Sequence, residues 1–324
     1  MPGQISKEAI LRSIPAVFGV RPQDCTVRPL RGGLESSVAA ISFCGERGTK
    51  HAVVKRLEGA ARREERVYRA VWREEYAPEL YGSTEENGVC YLFIEHVRAV
   101  QSWPWRDYEN TAIVMRQLPE LHGASQLRSQ LPAWDYESDL LASARETIAV
   151  AESEAHNVPE LSLNRHLSLL RRLAAALPDL RMEVRERYGS AMLHGDAHPG
   201  NVRLRQRNGR RTAVFLDWAR SRRGSPFEDV SSWLQTLRYW EPAAARDHDR
   251  LLREYLVAAG RGPALDEETR RAYWISGAGN VFAGALRYHI LRAGSSRGAT
   301  RRNVLGQALD ALRVIRRADA LVRR

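Results

Sequence analysis

The segment that most constrains this chain is Leu193–Asn201, which reads LHGDAHPGN and is followed by FLDW at Phe215–Trp218. Asp196 on a glycine-containing loop, the amide of Asn201 and Asp217 after an apolar run can converge on one small polar volume. Phosphoryl transfer needs such a volume, because the protein must orient a hydroxyl group and hold a divalent metal against the phosphates. On this interpretation Asp196 takes the hydroxyl proton, and Asn201 and Asp217 hold the metal.

Two other interpretations of the loop compete with this one. Asp, Asn and Gly are common in surface turns for backbone reasons alone. However, Thr212–Leu216 is predicted to be a buried strand, and an acid at its end must be paired or bound to a metal. A metal hydrolase with His194, Asp196 and His198 as its ligands is the second alternative.

The two halves of the motif, His-Gly-Asp-x-His-x-x-Asn and Asp-Trp, resemble the catalytic core of the aminoglycoside phosphotransferase family. These are small-molecule kinases with a protein-kinase-like fold. The resemblance implies Asp196 as the catalytic base, Asn201 and Asp217 as metal ligands, and ATP or GTP with Mg²⁺ as cofactors. It also implies an α+β, bilobal fold: a small N-terminal lobe with an antiparallel sheet, residues 1–97, and a large helical lobe, residues 98–324. In motif order it extends over residues 30–230.

A glycine turn near the N-terminus is a candidate phosphate-binding loop. The segments 26–30 and 37–43 are predicted strands, and the glycine pair between them permits positive φ and close approach of backbone to a ligand. The turn resembles the nucleotide-covering loop of the family, although it departs from the Gly-x-Gly-x-x-Gly of protein kinases. The residues that the resemblance brings to the phosphates are Gly32, Gly33, Ser36 and Ser37.

Lysine is rare in this chain, and the position of one lysine indicates a function. Lys55 lies within the apolar register of a third predicted strand, 51–57, where kinases place the lysine that contacts phosphates. Arg cannot replace Lys where a compact point charge must reach phosphates. The helix predicted at 61–73 places Glu64 where kinases hold the acid that pairs with this lysine, with Glu65 as the second choice.

The apolar segment 88–97 is a predicted buried strand whose end resembles the kinase hinge. On that resemblance the carbonyl of Glu95 and the N–H of Val97 meet the edge of the adenine. A metal hydrolase has no use for a lysine, a glutamate and a hinge ahead of the aspartate loop. Their order therefore favours a kinase.

The remainder of the chain is predicted to be mostly helical. The expected helices are 5–18, 134–155, 161–187, 231–239, 246–259, 267–292 and 301–322, with helical composition also from Tyr108 onward. His122, His194 and His198 are interpreted as architectural. Asp229 is expected to cap a helix start and brace the catalytic loop, a position that matches an acid of the family.

Composition narrows the function classes. The chain has 324 residues and a formal net charge of +11, but its arginines are scattered among acids, which argues against nucleic acid as a partner. No apolar run approaches the roughly 18 residues of a membrane span. The N-terminal stretch lacks the apolar core of a secretory signal, and three cysteines suit a reducing compartment. We therefore expect a cytoplasmic protein without a membrane partner.

The sequence thus predicts an ATP- and Mg²⁺-dependent phosphotransferase acting on a hydroxyl of a small molecule. An antibiotic inactivated by phosphorylation is the leading acceptor, with choline, amino alcohols and sugars as alternatives. A nucleotide-binding regulator without turnover would be expected to lack the base or a metal ligand, and all three are present. Arg220, Arg222 and Arg223, just past Asp217, favour a neutral or weakly charged acceptor. The sequence leaves the acceptor's identity and the oligomeric state open.

Overall fold

A five-stranded antiparallel sheet is the main feature of the N-terminal part of the chain. The computed structural model describes residues 5–22, 24–30, 37–45, 48–124, 131 and 139–323. The strands of the sheet are β1 (Cys25–Leu30), β2 (Ser37–Gly45), β3 (Gly48–Leu57), β4 (Leu80–Glu86) and β5 (Val89–Glu95). They lie in the order β1-β2-β3-β5-β4. β1 and β2 pair antiparallel, as the sequence predicts for a hairpin.

Burial along the strands explains their sequences. β5 lies between β3 and β4, and its residues from Cys90 to Ile94 are all buried, as its continuous apolar run predicts. β3 is exposed at its start and buried towards its end, where Lys55 pairs in register with Leu92. The lysine is therefore held within the buried half of its strand.

Helix α1 (Lys7–Phe18) covers one face of this sheet. Its apolar residues recur at helical spacing, and Ile10 and Ile14 are fully buried. They join one hydrophobic cluster with sheet residues that include Ile41, Val54 and Phe93. The predicted N-terminal helix and its apolar face are confirmed.

A hairpin of β7 (Val202–Arg207) and β8 (Arg210–Phe215) carries the segment around Asp217. Its two-residue turn is Asn208-Gly209, and both residues have positive φ, 52° and 77°. Asn-Gly is the preferred sequence for such a turn, because its twist matches that of the flanking strands. The N–H of Phe215 donates to the carbonyl of Tyr76 at 2.8 Å, so the end of β8 is fixed by a backbone hydrogen bond.

The remainder of the described chain is mainly helical. The helices are α2 (Arg63–Val71), α3 (Tyr108–Gly123), α4 (Leu141–Ser153), α5 (Leu167–Tyr188), α6 (Phe227–Trp240), α7 (His248–Ala258), α8 (Glu267–Asn280), α9 (Leu286–Ser295) and α10 (Gly298–Val322). Two short strands, β6 (Ala191–Leu193) and β9 (Arg222–Gly224), pair antiparallel. An α+β composition is therefore confirmed.

Several predicted bounds differ from the structure. The helix predicted at 267–292 is interrupted after Asn280, because Gly284 has a φ of 127° that no α-helix accommodates. The helix predicted at 134–155 begins only at Leu141 in the described residues, and 132–138 lie outside them. The stretch 161–187 opens with two short 3₁₀ turns separated by Ser162, whose φ is 48°. β4 was not predicted, since its polar residues lack apolar alternation.

Residue contacts divide the chain into two compact units. One unit comprises Met1–Ser102 and Asn201–Ser221, and contains the five-stranded sheet and the β7-β8 hairpin. The other comprises Trp103–Gly200 and Arg222–Arg324, and contains the helices from α3 onward. The predicted lobe boundary between residues 97 and 98 stays a prediction. In the part of the chain that the structure describes, no helix combines the length and hydropathy needed to cross a membrane.

Candidate active site

The ammonium group of Lys55 lies between two carboxylates. Lys55 on β3 forms an ion pair with Glu64 on α2, and its Nζ donates to Oδ1 of Asp217 at 2.9 Å. Lys55 is only 4% exposed and Glu64 is fully buried. The carboxylate that pairs with Lys55 is therefore that of Glu64, the first choice from the sequence, while Glu65 pairs with Arg69 one turn along the helix.

The charges in this cluster depend on one another. Burial alone would lower the pKa of Lys55, but the negative charges of Glu64 and Asp217 outweigh burial and raise it. Lys55 is therefore a cation across the physiological pH range. Glu64 also accepts a hydrogen bond from the backbone N–H of Trp218 at 3.0 Å, which ties α2 to the residue after Asp217.

The turn after β8 presents the carboxylate of Asp217. Asp217 adopts a left-handed conformation with a φ of 63°, which Asp tolerates better than most residues. The fully buried Trp218 locks this turn, since its indole N–H donates to the carbonyl of Phe215 at 2.8 Å. The side chain of Asp217 is 30% exposed, so it contacts Lys55 and also reaches solvent.

Asn201 is joined to the same turn through the backbone. Its carbonyl accepts the N–H of Leu216 at 2.7 Å, immediately before Asp217. The structure thus brings together the two residues predicted to hold a metal. Both offer oxygen atoms, the donor type that Mg²⁺ prefers. Their role as ligands stays a prediction.

The predicted hinge follows directly from β5. The N–H of Glu95 donates to the carbonyl of Glu79 at 2.8 Å, and the carboxylate of Glu95 accepts from Arg205 at 2.8 Å. Arg205 on β7 also donates to the carbonyl of Glu75 at 2.7 Å. No sequence pattern marks this arginine as functional. It fixes the end of β5 ahead of the half-buried Val97. The adenine contacts of Glu95 and Val97 stay predictions.

The predicted phosphate-covering turn falls largely outside the described residues, which include neither Gly32 nor Gly33 nor Ser36. Ser37 is described and begins β2, where it pairs in register with Arg56 on β3. It therefore stands on the strand next to that of Lys55. Its contact with phosphate stays a prediction.

Asp196 lies on the loop after β6, and two histidines hold that loop. The N–H of Asp196 donates to Nδ1 of the fully buried His194 at 3.3 Å. Nδ1 of His198 accepts the N–H of Gly200 at 3.0 Å, while its Nε2 lies 3.9 Å from Oδ2 of Asp196. The Asp196 side chain is 39% exposed, so its carboxylate is open to solvent.

Asp229, on the first turn of α6, holds this loop through hydrogen bonds to its backbone. Its two carboxylate oxygens accept the N–H groups of His194 and Gly195, at 2.7 and 2.8 Å. Nε2 of His122 lies 3.4 Å from the same carboxylate. Burial alone would raise the pKa of Asp229, but the hydrogen bond and charge of His122, with the Gly195 N–H, outweigh burial and lower it.

A second set of charged residues, which no sequence pattern predicts, lies beside the loop. Glu228 is fully enclosed and forms ion pairs with Arg181 on α5 and Arg222 on β9. Arg222, which the sequence suggested as a cation facing the acceptor, is instead buried on this carboxylate. No local pattern signals a pair such as Arg181 and Glu228, which are 47 residues apart.

The ligand set of the alternative metal hydrolase is not assembled. Across the described residues, no three His, Cys, Asp or Glu side chains are grouped so that they could hold a metal ion. The ring of His194 is buried and its Nδ1 accepts a backbone N–H, whereas His198 accepts the N–H of Gly200 through Nδ1 and faces Asp196 through Nε2. The geometry thus fits loop-supporting histidines better than zinc ligands.

Solved structures of small-molecule kinases share this fold. A choline kinase from Cryptosporidium parvum superposes with a TM-score of 0.69 at 13% identity, over 98% of this chain and 97% of that one. An aminoglycoside phosphotransferase from Alicyclobacillus acidocaldarius gives 0.63 at 12%, over 100% and 97%. One from Streptomyces rimosus, in complex with ADP and streptomycin, gives 0.52 at 20%, over 84% and 97%. The predicted α+β, bilobal, protein-kinase-like fold is confirmed.

Sequence comparison identifies the family. No curated protein sequence matches the chain. The sequence profile of the phosphotransferase enzyme family matches residues 26–273, well over half of the 324 residues. The matched region includes Lys55, Glu64, Asp196, Asn201 and Asp217. The resemblance to aminoglycoside phosphotransferases is therefore confirmed, and the chain belongs to the phosphotransferase enzyme family as a small-molecule kinase.

Proposed function

We propose that the chain transfers the terminal phosphoryl group of ATP to a hydroxyl group of a small molecule, with Mg²⁺ as the metal. The observation that carries the proposal is the Lys55 cluster: a buried cation held by Glu64 and Asp217 in a member of the phosphotransferase family. A lysine fixed in this way offers a point charge to phosphate oxygens. Phosphoryl transfer relies mainly on such positioning and electrostatic stabilisation.

Asn201 and Asp217 supply oxygen donors that suit Mg²⁺, and we assign them as its ligands. Mg²⁺, when bound, neutralises charge on the phosphate oxygens. Asp196, with its solvent-accessible carboxylate, orients the acceptor hydroxyl and takes its proton. The backbone of Glu95 and Val97 receives the adenine edge, and Gly32, Gly33, Ser36 and Ser37 cover the phosphates.

The acceptor that we propose is a neutral or weakly charged hydroxylated compound, with antibiotics as the leading class. The net charge of +11 supports a neutral acceptor, because like charges slow the encounter with a polycation. The burial of Arg222 on Glu228 leaves one arginine fewer to repel a cationic acceptor. Arg220 and Arg223 remain the local cations that support a neutral one.

A metabolite alcohol is the second candidate acceptor. The similarity to a choline kinase over nearly the whole chain favours it, as does the similarity to an aminopropanol kinase. A cytoplasmic location fits either candidate and stays a prediction.

A thermal-shift screen with a non-hydrolysable ATP analogue and Mg²⁺ tests the proposal. It should include kanamycin-like polycations, weakly charged macrolides, uncharged nucleosides, and choline. An acceptor at a hundred times its dissociation constant stabilises the native state by about 2.7 kcal/mol. Steady-state assays with each hit then report phosphorylation. Nucleotide binding without turnover of any hit would favour the regulator, and efficient turnover of polycations alone would overturn the neutral acceptor.

A further inference from the structure

Gly195, the residue before Asp196, is held through both of its backbone polar groups. Its N–H donates to Oδ1 of Asp229 at 2.8 Å. Its carbonyl accepts a hydrogen bond from Nη1 of Arg222 at 3.2 Å. Arg222 also pairs in register with Leu193 in the β6-β9 ribbon, so it belongs to the strand beside the one that leads into the loop.

The guanidinium of Arg222 is itself fixed by a buried carboxylate. Its Nη2 donates to Oε2 of Glu228 at 2.9 Å. The other oxygen, Oε1, accepts from Arg181 at 2.9 Å and from the N–H of Ser225 at 3.0 Å. Burial alone would raise the pKa of Glu228, but the two guanidinium charges outweigh burial and lower it. Glu228 is therefore ionised and compensated at neutral pH.

Arg181, Glu228 and Arg222 form an ion-paired triad. Two glycines that pack against it, Gly224 and Gly279, leave no room for a side chain. A Cβ on Gly224 would lie 2.7 Å from Oε1 of Glu228 and 2.6 Å from Cδ1 of Leu193. A Cβ on Gly279 would lie 2.8 Å from Nη1 of Arg181. The backbone at Gly224 thus confines the Glu228 carboxylate, and the backbone at Gly279 confines the guanidinium of Arg181. Arg222 donates to this confined carboxylate through Nη2 and to the Gly195 carbonyl through Nη1, so it joins the loop to a fixed group.

We propose that Arg222 is a positioning residue that sets the orientation of Asp196 through the carbonyl of Gly195. The inference rests on the proposed function, in which Asp196 is the base. Arginine suits the position because its planar fork presents two donors at once, one to Glu228 and one to Gly195. A lysine could neutralise Glu228 as a point charge but could not hold both partners in a fixed geometry.

The test compares two substitutions, each of which replaces one of the two arginines that donate to Glu228. Arg222→Lys keeps the charge beside Glu228 and loses the fork that bridges to Gly195. Arg181→Lys makes the same change on the opposite side of Glu228. ADP release from ATP and Mg²⁺ is measured with water as the acceptor, so that no acceptor need be known. Melting temperatures of both variants report their folding.

We expect Arg222→Lys to lower kcat about tenfold or more, because small misplacement of a catalytic group is costly. The KM for ATP should stay within about twofold, since Lys55 and the hinge serve the nucleotide. Arg181→Lys should keep kcat within about twofold at a similar loss of melting temperature. Hydrogen exchange of the peptide spanning residues 194–200 should accelerate in Arg222→Lys and not in Arg181→Lys.

Equal losses of kcat in the two variants would show a purely structural role and overturn the inference. Wild-type kcat and exchange in Arg222→Lys would overturn it too. Asp196→Ala is assayed in parallel, because it separates the assignment of the base from the positioning role of Arg222. If Asp196→Ala keeps the wild-type rate, the proposed base is wrong. If Asp196→Ala loses turnover while Arg222→Lys does not, only the positioning inference fails.

Discussion

Nζ of Lys55 and Oδ1 of Asp217 lie 2.9 Å apart, although 162 residues separate them in the sequence. The contact links the third strand of the sheet to the turn after β8, within one compact unit. Glu64 adds a buried ion pair to Lys55 and a hydrogen bond to the N–H of Trp218. One electrostatic cluster therefore holds the lysine, the helix α2 and the Asp217 turn together, and Lys55, the cation that both carboxylates contact, is the most informative residue to replace.

Lys55→Arg should weaken ATP binding by more than about tenfold. Arginine is longer, and its planar fork cannot place a single charge where the compact ammonium lies between Glu64 and Asp217. Titration with a fluorescent ATP analogue measures the affinity. Lys50→Arg is the matched control, since Lys50 is an exposed lysine on the same strand. Equal affinity of the Lys55 and Lys50 variants would contradict a role of Lys55 in nucleotide binding.

Asp196→Asn should abolish most turnover and leave nucleotide binding nearly intact. Loss of a general base costs typically ~10² to 10⁴-fold, and the amide keeps nearly the same volume. Phosphorylation of an acceptor found in the thermal-shift screen gives kcat, and ATP titration gives the affinity. Asp179→Asn, a substitution outside the catalytic loop on α5, controls for loss of a carboxylate charge. Wild-type turnover in the Asp196 variant would show that the base lies elsewhere.

Local patterns predicted much of this architecture. Apolar runs identified β3, β5 and β8, helical spacing identified α1, and the rarity of lysine drew attention to Lys55. These features could be predicted because each depends on residues close together in sequence. The loop sequence HGDAHPGN likewise predicts Asp196 as a functional residue without reference to any contact.

Features that depend on distant residues could not be predicted in this way. Arg222 looked like a cation near the acceptor, because nothing local shows that it is buried on Glu228 beside Arg181. The helix predicted at 267–292 is interrupted because Gly284 has a positive φ. A glycine within a helical pattern does not by itself predict such an interruption. Arg205 binding to Glu95 belongs to the same class of long-range pairing.

Gly200→Ala should slow catalysis by disturbing His198. A Cβ at this position would lie 2.7 Å from Cε1 of His198, so the ring must move. That movement breaks the hydrogen bond from the Gly200 N–H to Nδ1 and shifts the Nε2 that faces Asp196. We expect kcat to fall about tenfold or more, as misplacement near a catalytic group does.

A double-mutant cycle assigns the effect of Gly200→Ala to the histidine ring. In a His198→Ala background the Cβ meets no ring, so the same substitution should cost far less. Gly123→Ala is the control for added side-chain bulk, since a Cβ on Gly123 would meet no neighbouring atom within 4 Å among the described residues. Equal losses of kcat in both backgrounds would mean that the Gly200 effect does not act through His198.

His289 on α9 should make the protein sensitive to mild acid. Its Nδ1 is buried without a hydrogen-bond partner in the described residues, and burial lowers the pKa of His289 to about 4. A depressed folded-state pKa means that the unfolded chain binds the proton more tightly. Stability associated with neutral His289 is therefore complete above pH ~6.5 and is lost as the pH falls towards 4.

The size of this effect follows from the shift in pKa. Between pH ~6.5 and ~4 the single histidine should reduce the free energy of unfolding by up to about 3 kcal/mol. His289→Gln removes the titrating group, so its melting temperature should fall less over this pH range than that of the wild type. Melting curves at half-unit steps of pH measure both slopes. Glutamine cannot bind the proton that destabilises the wild type. Parallel slopes of melting temperature against pH for the two proteins would therefore show that protonation of His289 does not cause the acid sensitivity.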